Sequence, residues 1–271
     1  MIEENKMFYQ SNDGIKLCGI ITKPLNSQGC VLLTHGITTD KNEWKNFYID
    51  ISHELSKRDF TTLRFDFRAH GESEGLQRDM TIIGELLDIK ASSKNLYEQN
   101  FNGISIVATS FSAGPAILYA ALNKEKIKCL VLLCPVIDYI ATFLKPITPW
   151  AKETFNEEGF EHLEMNGSIL LDGNFELGAK LIEEFKLIRP FEYLNELDCP
   201  VLTIHGDKDT MVPYEISKKY GAPNIKSQFI TIEEADHGFI DYRDEVGKSK
   251  ESYKNKKFVI EKISDWIQKC G

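Results

Sequence analysis

Short apolar runs rich in β-branched residues recur along the chain, separated by longer stretches whose apolar residues fall on one helical face. The runs are "GCVLLTHG" (29–36), "TTLRFDF" (61–67), "GISIVAT" (103–109), "IKCLVLLC" (127–134), "PVLTIHG" (200–206) and "SQFITIEEA" (227–235). Helix-like segments lie near 44–57, 80–98, 112–122, 214–220 and 256–269. Runs that are apolar almost throughout are strands buried on both faces. Their alternation with helices predicts an α/β fold with a mostly parallel, doubly wound sheet. The start reads differently: "KMFYQ" and "IKLCGIITK" flank "SNDG", a D-G turn signal that predicts an antiparallel N-terminal hairpin at the leading edge of the sheet.

One interval breaks the rhythm. Between the run ending at Cys134 and the next, beginning near Val201, the chain is far longer than the roughly 30 residues of a whole strand-helix-strand unit. The surplus predicts a helical insertion at about 139–195 within one domain spanning 1–271. It contains "FLKPITPWAKETF" and a helix-like "FELGAKLIEEFKLI" at 175–188. An insertion at the carboxyl ends of parallel strands sits where open α/β sheets bind ligands. Phe143, Leu144, Ile147 and Trp150 are therefore expected to form a lid over a substrate pocket; the alternative is a helical subdomain that simply packs on the sheet.

Charge and cysteine usage narrow the partners. With 32 basic and 41 acidic residues the formal charge is -9, which works against nucleic-acid binding and against adsorption to anionic membranes, so a small-molecule substrate is expected. The lysine-rich "KSKESYKNKK" (248–257) reads as a solvated segment leading into the last helix. "MIEENKMFYQ" has no basic n-region followed by an apolar run, and no segment approaches the length of a membrane span; a cytoplasmic location without membrane insertion is the expectation. The six cysteines (18, 30, 129, 134, 199, 270) show no C-x-x-C or Cys/His spacing and read as free thiols, most of them buried, rather than disulfides or a zinc site.

The stretch "IVATSFSAGPA" (106–116) holds two serines, each fitting half of a G-x-S-x-G nucleophile pattern. A nucleophile elbow places its serine at a strained turn directly between an apolar strand and a helix. The apolar run stops at Ala108, which puts Ser110 in the turn and Ser112 in the first turn of the helix. The glycines usual at minus two and plus two answer a demand for small side chains where neighbouring chains pass close, and Ala108 and Ser112 are both small. Ser110 is the candidate nucleophile.

A serine hydroxyl needs a histidine to take its proton and a carboxylate to orient that histidine. "PVLTIHGDKDTMVP" ends a strand with a loop carrying Asp207, suited to shaping the turn, and Asp209, the candidate acid; Asp138 in "LLCPVID" is its rival. His237 in "EEADHGF", just past the last predicted strand, is the candidate base. The order Ser110, Asp209, His237 is the one that accompanies this architecture. His35 and His205 precede glycines at strand ends, where turn-stabilising hydrogen bonds are expected, and His53 and His162 lie in helix-like or insertion sequence. The oxyanion donors are expected to be the backbone N–H of Phe111, immediately after the nucleophile, and of Ile37 in the loop after "LLTHG".

"THGI", "RFDFRAHGESEG", "ATSFSAG", "HGDKDTMVP" and "ADHGF", in this order and spacing, resemble the α/β-hydrolase superfamily. "LRFDFRAHGESEG", a following lid and "RPFEYLNELDCPVLTIHGDKDTMVP" look most like bacterial carboxylesterases of the cinnamoyl and feruloyl type. The resemblance implies a serine hydrolase without cofactor or metal, with a lid over an acyl or aryl pocket, often a homodimer. It also implies that Asp66, Arg68, His70 and Ser73 are architecture. The A-T-S-F-S-A elbow departs from G-x-S-x-G-G and is similar to that of acyl-carrier-protein thioesterases of luciferase operons.

The chemistry expected is acyl transfer to water, on an ester or, alternatively, a thioester, with activity falling as His237 protonates at or below roughly pH 6 to 7. The rival of a different class is a hydrolase-fold binding protein with an inactive triad.

Overall fold

In the computed structural model, which describes residues 2–270, the apolar runs pair into one sheet. The chain opens with strands β1 (Glu3–Gln10), β2 (Lys16–Lys23) and β3 (Gly29–Thr34), helix α1 (Phe47–Lys57) and strand β4 (Phe60–Asp66). Helix α2 (Ile82–Tyr97), strand β5 (Ile104–Thr109), helix α3 (Ala113–Leu122) and strand β6 (Ile127–Leu133) follow. After an insertion come strand β9 (Val201–Gly206), helix α8 (Tyr214–Tyr220), strand β10 (Gln228–Ile232) and helix α9 (Lys250–Cys270). The strands lie in the order β1-β2-β4-β3-β5-β6-β9-β10. β1 and β2 form the antiparallel hairpin, β2 joins β4 antiparallel, and every later pair is parallel. Met1 and Gly271, the two ends of the domain expected over 1–271, lie outside the described residues.

The period of two along the central strands explains why they read as unbroken apolar runs. Cys30 and Leu32 of β3, Ile106 and Ala108 of β5, and Leu130 and Leu132 of β6 pack with Ile89 and Leu96 of α2 and Ile117 of α3. The intervening Val31, Leu33, Val107, Val131 and Leu133 pack with Tyr48, Ile51 and Leu55 of α1 and with Val259, Ile263 and Ile267 of α9. Both faces are covered, so neither alternate position has a polar vacancy.

The insertion between β6 and β9 contains helices α4 (Pro149–Thr154) and α5 (Glu157–Asn166), strands β7 (Ser168–Leu171) and β8 (Phe175–Gly178), and helices α6 (Ala179–Leu187) and α7 (Pro190–Leu194). This corrects the reading of 175–188 as one helix. Asp172 and Gly173 turn the chain with positive φ (50° and 78°), and Phe175–Gly178 pairs antiparallel with Ser168–Leu171. "DG" between short apolar runs is a hairpin signal, and it outweighs the helix-like spacing that begins only at Ala179.

The last helix also starts earlier than its apolar face suggests, at Lys250 rather than 256. Ser249 Oγ accepts the Ser252 N–H at 3.1 Å as a cap, and Ser252 Oγ donates to Asp244 at 2.7 Å, so the polar first turn is held by hydrogen bonds rather than burial of apolar surface. The lysine-rich run therefore belongs to the helix and its approach. No helix among the described residues is long and apolar enough to cross a membrane. None of the six cysteines is in a disulfide; five are buried and Cys270 is partly exposed.

Candidate active site

β5 runs straight into one turn of 3-10 helix, Ser110–Ser112, and then α3. Ser110 sits at φ 54°, a left-handed backbone conformation that costs a non-glycine residue about 1–3 kcal/mol. That strain is the structural signature of the elbow, and it turns the Ser110 side chain away from the strand into a cavity. The loop after β3 passes close to the elbow: a Cβ added to Gly36 would lie 3.3 Å from Ser110 Cβ.

The second serine does something else. Ser112 is fully buried, and its Oγ donates to the Thr34 carbonyl at 2.6 Å and accepts the Thr109 N–H at 3.1 Å. It ties the end of β5 to the end of β3. Ser110 Oγ instead lies 3.1 Å from His237 Nε2.

His237 is presented by a tight loop after β10. Asp236 Oδ1 accepts the N–H of Gly238 at 2.9 Å and of Ile240 at 3.0 Å, closing the turn around it. The loop passes over the end of β9 so closely that a Cβ on Gly206 would stand 2.3 Å from the Ala235 carbonyl. His237 Nδ1 donates to Asp209 Oδ2 at 2.6 Å. Asp209 is itself fixed through Oδ1 by the N–H groups of Met211 (2.8 Å) and Val212 (2.9 Å).

The other candidates fall elsewhere. Asp138 accepts the Ala141 N–H at 3.1 Å and caps its own turn. Asp207 accepts the Glu234 N–H at 2.7 Å, the turn-shaping role expected of it. His35 donates from Nδ1 to the Gly36 carbonyl at 2.7 Å and accepts the Phe67 N–H on Nε2 at 3.0 Å; burial pushes its pKa down to about 4. His53 lies on α1, and His162 Nδ1 bonds the Ser168 carbonyl at 2.7 Å within the insertion. Asp66 accepts the Lys41 ammonium and backbone N–H, both at 2.7 Å, and Ser73 Oγ donates to the Asp66 carbonyl at 2.6 Å. Arg68 pairs with Asp88 and Asp13, and His70 Nδ1 bonds the Arg68 carbonyl, so this segment is a buried polar brace beside the sheet.

The cavity in front of Ser110 has a volume of about 630 Å³. Ile37, Phe111, Val136, Met211 and Val212 line it near Ser110, with Phe143 and Trp150 from the insertion. Leu144 and Ile147 do not line it. Leu144 packs, partly buried, against the apolar cluster that holds Phe111 and Phe143, and Ile147 is 57% exposed, whereas Phe143 and Trp150, from the wide turn Ile140–Leu144 and α4, reach the cavity.

Two residues that sequence reasoning left out of the site join it. Glu43, in the loop before α1, accepts the Gly36 N–H at 2.7 Å through Oε2 and the Trp44 N–H at 2.9 Å through Oε1, and its carboxylate lines the cavity. It pins the Gly36-Ile37 segment from inside. His205, read as a turn residue, donates from Nε2 to Asp209 Oδ2 at 2.9 Å. Its four-residue spacing from Asp209 is visible in "HGDKD", but nothing in that spacing says the ring bends back toward the loop. Glu43 carries no sequence signal.

The electrostatics follow from this crowding. Burial works against the charge on Asp209, but His237 and the hydrogen bonds from both histidines outweigh it and hold the carboxyl below the ordinary aspartate range. Burial alone favours neutral His237, but attraction to Asp209, their hydrogen bond, Glu43 and Asp236 prevail, so the imidazole is more basic than usual. Cys134, His205 and Asp209 bring three donor atoms within 4.8 Å of one another, yet they do not fit a metal. Both Asp209 oxygens are taken by N–H groups, and burial pushes the Cys134 thiol well up, keeping it protonated.

This sheet, insertion and site define an α/β-hydrolase, and comparison with known proteins agrees. Residues 26–172 match the family model described as serine aminopeptidase, S33, which spans just over half of the chain. The chain belongs to that family and is a hydrolase of the α/β fold. It is 30% identical over 133 residues to a thiohydrolase of Eupenicillium brefeldianum, a match covering 47% of this chain and 42% of that protein. It is 22% identical over 229 residues to a Mycoplasma pneumoniae protein named as an esterase/lipase, covering 78% of this chain and 82% of the other. The structure of Est1E from Butyrivibrio proteoclasticus bound to ferulic acid superposes with a TM-score of 0.74 at 24% identity, over 95% of this chain and 99% of that one, a likeness of fold.

Proposed function

We propose that the chain is a serine esterase acting through an acyl-enzyme. The observation that carries this reading is the continuous path from Ser110 Oγ to His237 Nε2 (3.1 Å) and from His237 Nδ1 to Asp209 Oδ2 (2.6 Å), with Ser110 held at φ 54° facing the cavity. Ser110 Oγ attacks the ester carbonyl while its proton passes to His237 Nε2. The imidazolium, steadied by Asp209, gives that proton to the departing alcohol. Water then enters, loses a proton to His237 and attacks the acyl carbonyl; as the C–Oγ bond breaks and the acid leaves, His237 returns that proton to Ser110 Oγ. The Ile37 and Phe111 N–H groups hold the oxyanion, and the hydrogen bond from Gly36 to Glu43 keeps the first of these segments in place. Phe143 and Trp150, reaching in from the insertion, act as a lid on the acyl side.

The substrate class is a carboxylic ester with a small aryl or short-to-medium acyl group, supported by the apolar lining near Ser110. A second reading, thioester hydrolysis, is favoured by the similarity to the thiohydrolase. A panel of p-nitrophenyl esters from acetate to myristate, methyl ferulate and acyl thioesters separates the two. Esters are expected to give the higher kcat/KM. A preference for thioesters transfers the assignment to the second reading, and absence of turnover together with no labelling by a fluorophosphonate removes both in favour of a binding protein.

The pH profile provides a further test. His237 must be neutral to accept the Ser110 proton, and its basicity is raised, so kcat/KM should fall on acidification with a midpoint above the ordinary imidazole value of about 6.5. This places the acid limb higher than the sequence alone suggests. Glu43→Gln removes one of the negative charges that raise it, and should shift the limb downward by a few tenths of a pH unit to about one. A limb that stays in place in Glu43→Gln would detach Glu43 from the electrostatics of His237.

A further inference from the structure

Asp209 Oδ2 is shared between two histidines: it accepts from His237 Nδ1 at 2.6 Å and from His205 Nε2 at 2.9 Å. His205 is fully buried on β9, where its backbone is hydrogen-bonded into the sheet beside β10. Its other ring nitrogen, Nδ1, has no hydrogen-bond partner among the described residues. Among the described residues, the carboxylate of Asp209 is therefore the one hydrogen-bond partner of the ring. A buried nitrogen without a partner costs free energy that an aliphatic side chain would avoid, so the histidine is poorly explained as packing alone.

We propose that His205 is a positioning residue for the reaction, holding the Asp209 carboxylate in the plane that faces His237 and tempering its strength as an acceptor. The proposal rests on reading Ser110, His237 and Asp209 as a triad. Asp209 lies on a loop, and the Met211 and Val212 amides hold only its Oδ1. Rotation about the terminal carboxylate bond is soft, so without His205 the position of Oδ2 would rest on the His237 ring alone, itself carried on a loop. His205 closes the swing from a strand rather than a loop. Because ionised Asp209 can only accept, His205 must carry a proton on Nε2.

The groups around this pair are few. Cys134, at the end of β6, brings its thiol close to both residues. Tyr214 of α8 meets the His205 ring edge-on with centroids 5.7 Å apart. Asp236 and Glu43 act on His237 from the other side. Losing the His205 N–H leaves Oδ2 a stronger acceptor for His237, which raises the basicity of the His237 ring while loosening its orientation.

The test compares wild type, His205→Gln and His205→Leu, each normalised to sites titrated by a fluorophosphonate burst at Ser110. Gln reaches about as far as Nε2 with an N–H donor and should restore kcat to within about threefold of wild type. Leu should lower kcat per titrated site by about 10- to 100-fold with KM little changed, and move the acid limb of kcat/KM upward. A Leu variant with unaltered per-site kcat and an unmoved limb, or a Gln variant as impaired as Leu, overturns the proposal. Nitrogen-15 shifts of the wild-type chain provide a reading that needs no variant: His205 should carry a proton on Nε2, and a ring protonated on Nδ1 alone overturns the proposal. Failure of the wild type to label at Ser110 would instead overturn the triad reading, and this inference with it.

Discussion

Ser110→Ala is expected to lower turnover on every ester by roughly 10⁴- to 10⁶-fold, whereas Ser112→Ala keeps most of it. The two serines are one residue apart and chemically alike, so the contrast isolates geometry. Ser110 Oγ has His237 Nε2 at 3.1 Å and faces the cavity. Ser112 Oγ is fully buried and committed to Thr34 and Thr109. Removing the Ser110 hydroxyl deletes the proposed nucleophile yet removes nothing that holds the fold, and the Ala variant should melt close to wild type. Removing the Ser112 hydroxyl leaves the Thr34 carbonyl and Thr109 N–H short of a partner, at a cost of about 1–3 kcal/mol. Its melting temperature should therefore fall while each remaining folded molecule still reacts with a fluorophosphonate. Labelling of Ser110→Ala would refute the assignment.

How far the sequence led to this site depends on what each residue's role looks like along the chain. The parallel sheet was legible because strands buried on both faces are apolar at every position, as in Val31-Leu32-Leu33 and Leu130-Leu133. The elbow was legible because an apolar strand, a small-residue turn and a helix follow one another without a gap. The β7-β8 hairpin was missed although Asp172-Gly173 is the same dipeptide as Asp13-Gly14, which was read as a turn. In one case β-like runs flank the dipeptide; in the other the following "FELGAKLIEEF" has helical spacing, and the strand occupies only its first four residues. The inward direction of Phe143 and Trp150, against the outward one of Ile147, depends on how a wide turn joins α4 and carries no periodic signal. Glu43 and His205 escaped for another reason: each acts by reaching a partner that tertiary packing alone brings near, Gly36 N–H for one and Asp209 Oδ2 for the other.

The same sharing of Asp209 makes Asp209→Asn a severe substitution, expected to lower kcat by about 10⁴-fold. With its oxygen kept toward Met211 and Val212, the new amide NH₂ faces both imidazoles, where two N–H donors already point at it. His237 must then move its proton from Nδ1 to Nε2, and in that tautomer it cannot accept the Ser110 proton. If the amide flips, the NH₂ instead confronts two backbone N–H groups that cannot change tautomer. The first arrangement forces the His237 tautomer and leaves the His205 Nε2–H facing the NH₂ unless that ring shifts too, and the second leaves buried donors opposed, so stability falls as well. The wild-type carboxyl lies below the ordinary aspartate range, so its ionisation favours the folded state fully above the unfolded value of about 3.9. That contribution fades as pH falls through the folded value, and the Asn variant lacks it at neutral pH. Wild type and Asp209→Asn should therefore differ most in melting temperature near neutrality and converge in strong acid. A constant difference down to low pH would mean that the loss is one of packing, and retained per-site turnover in Asp209→Asn would move the triad acid to another carboxylate.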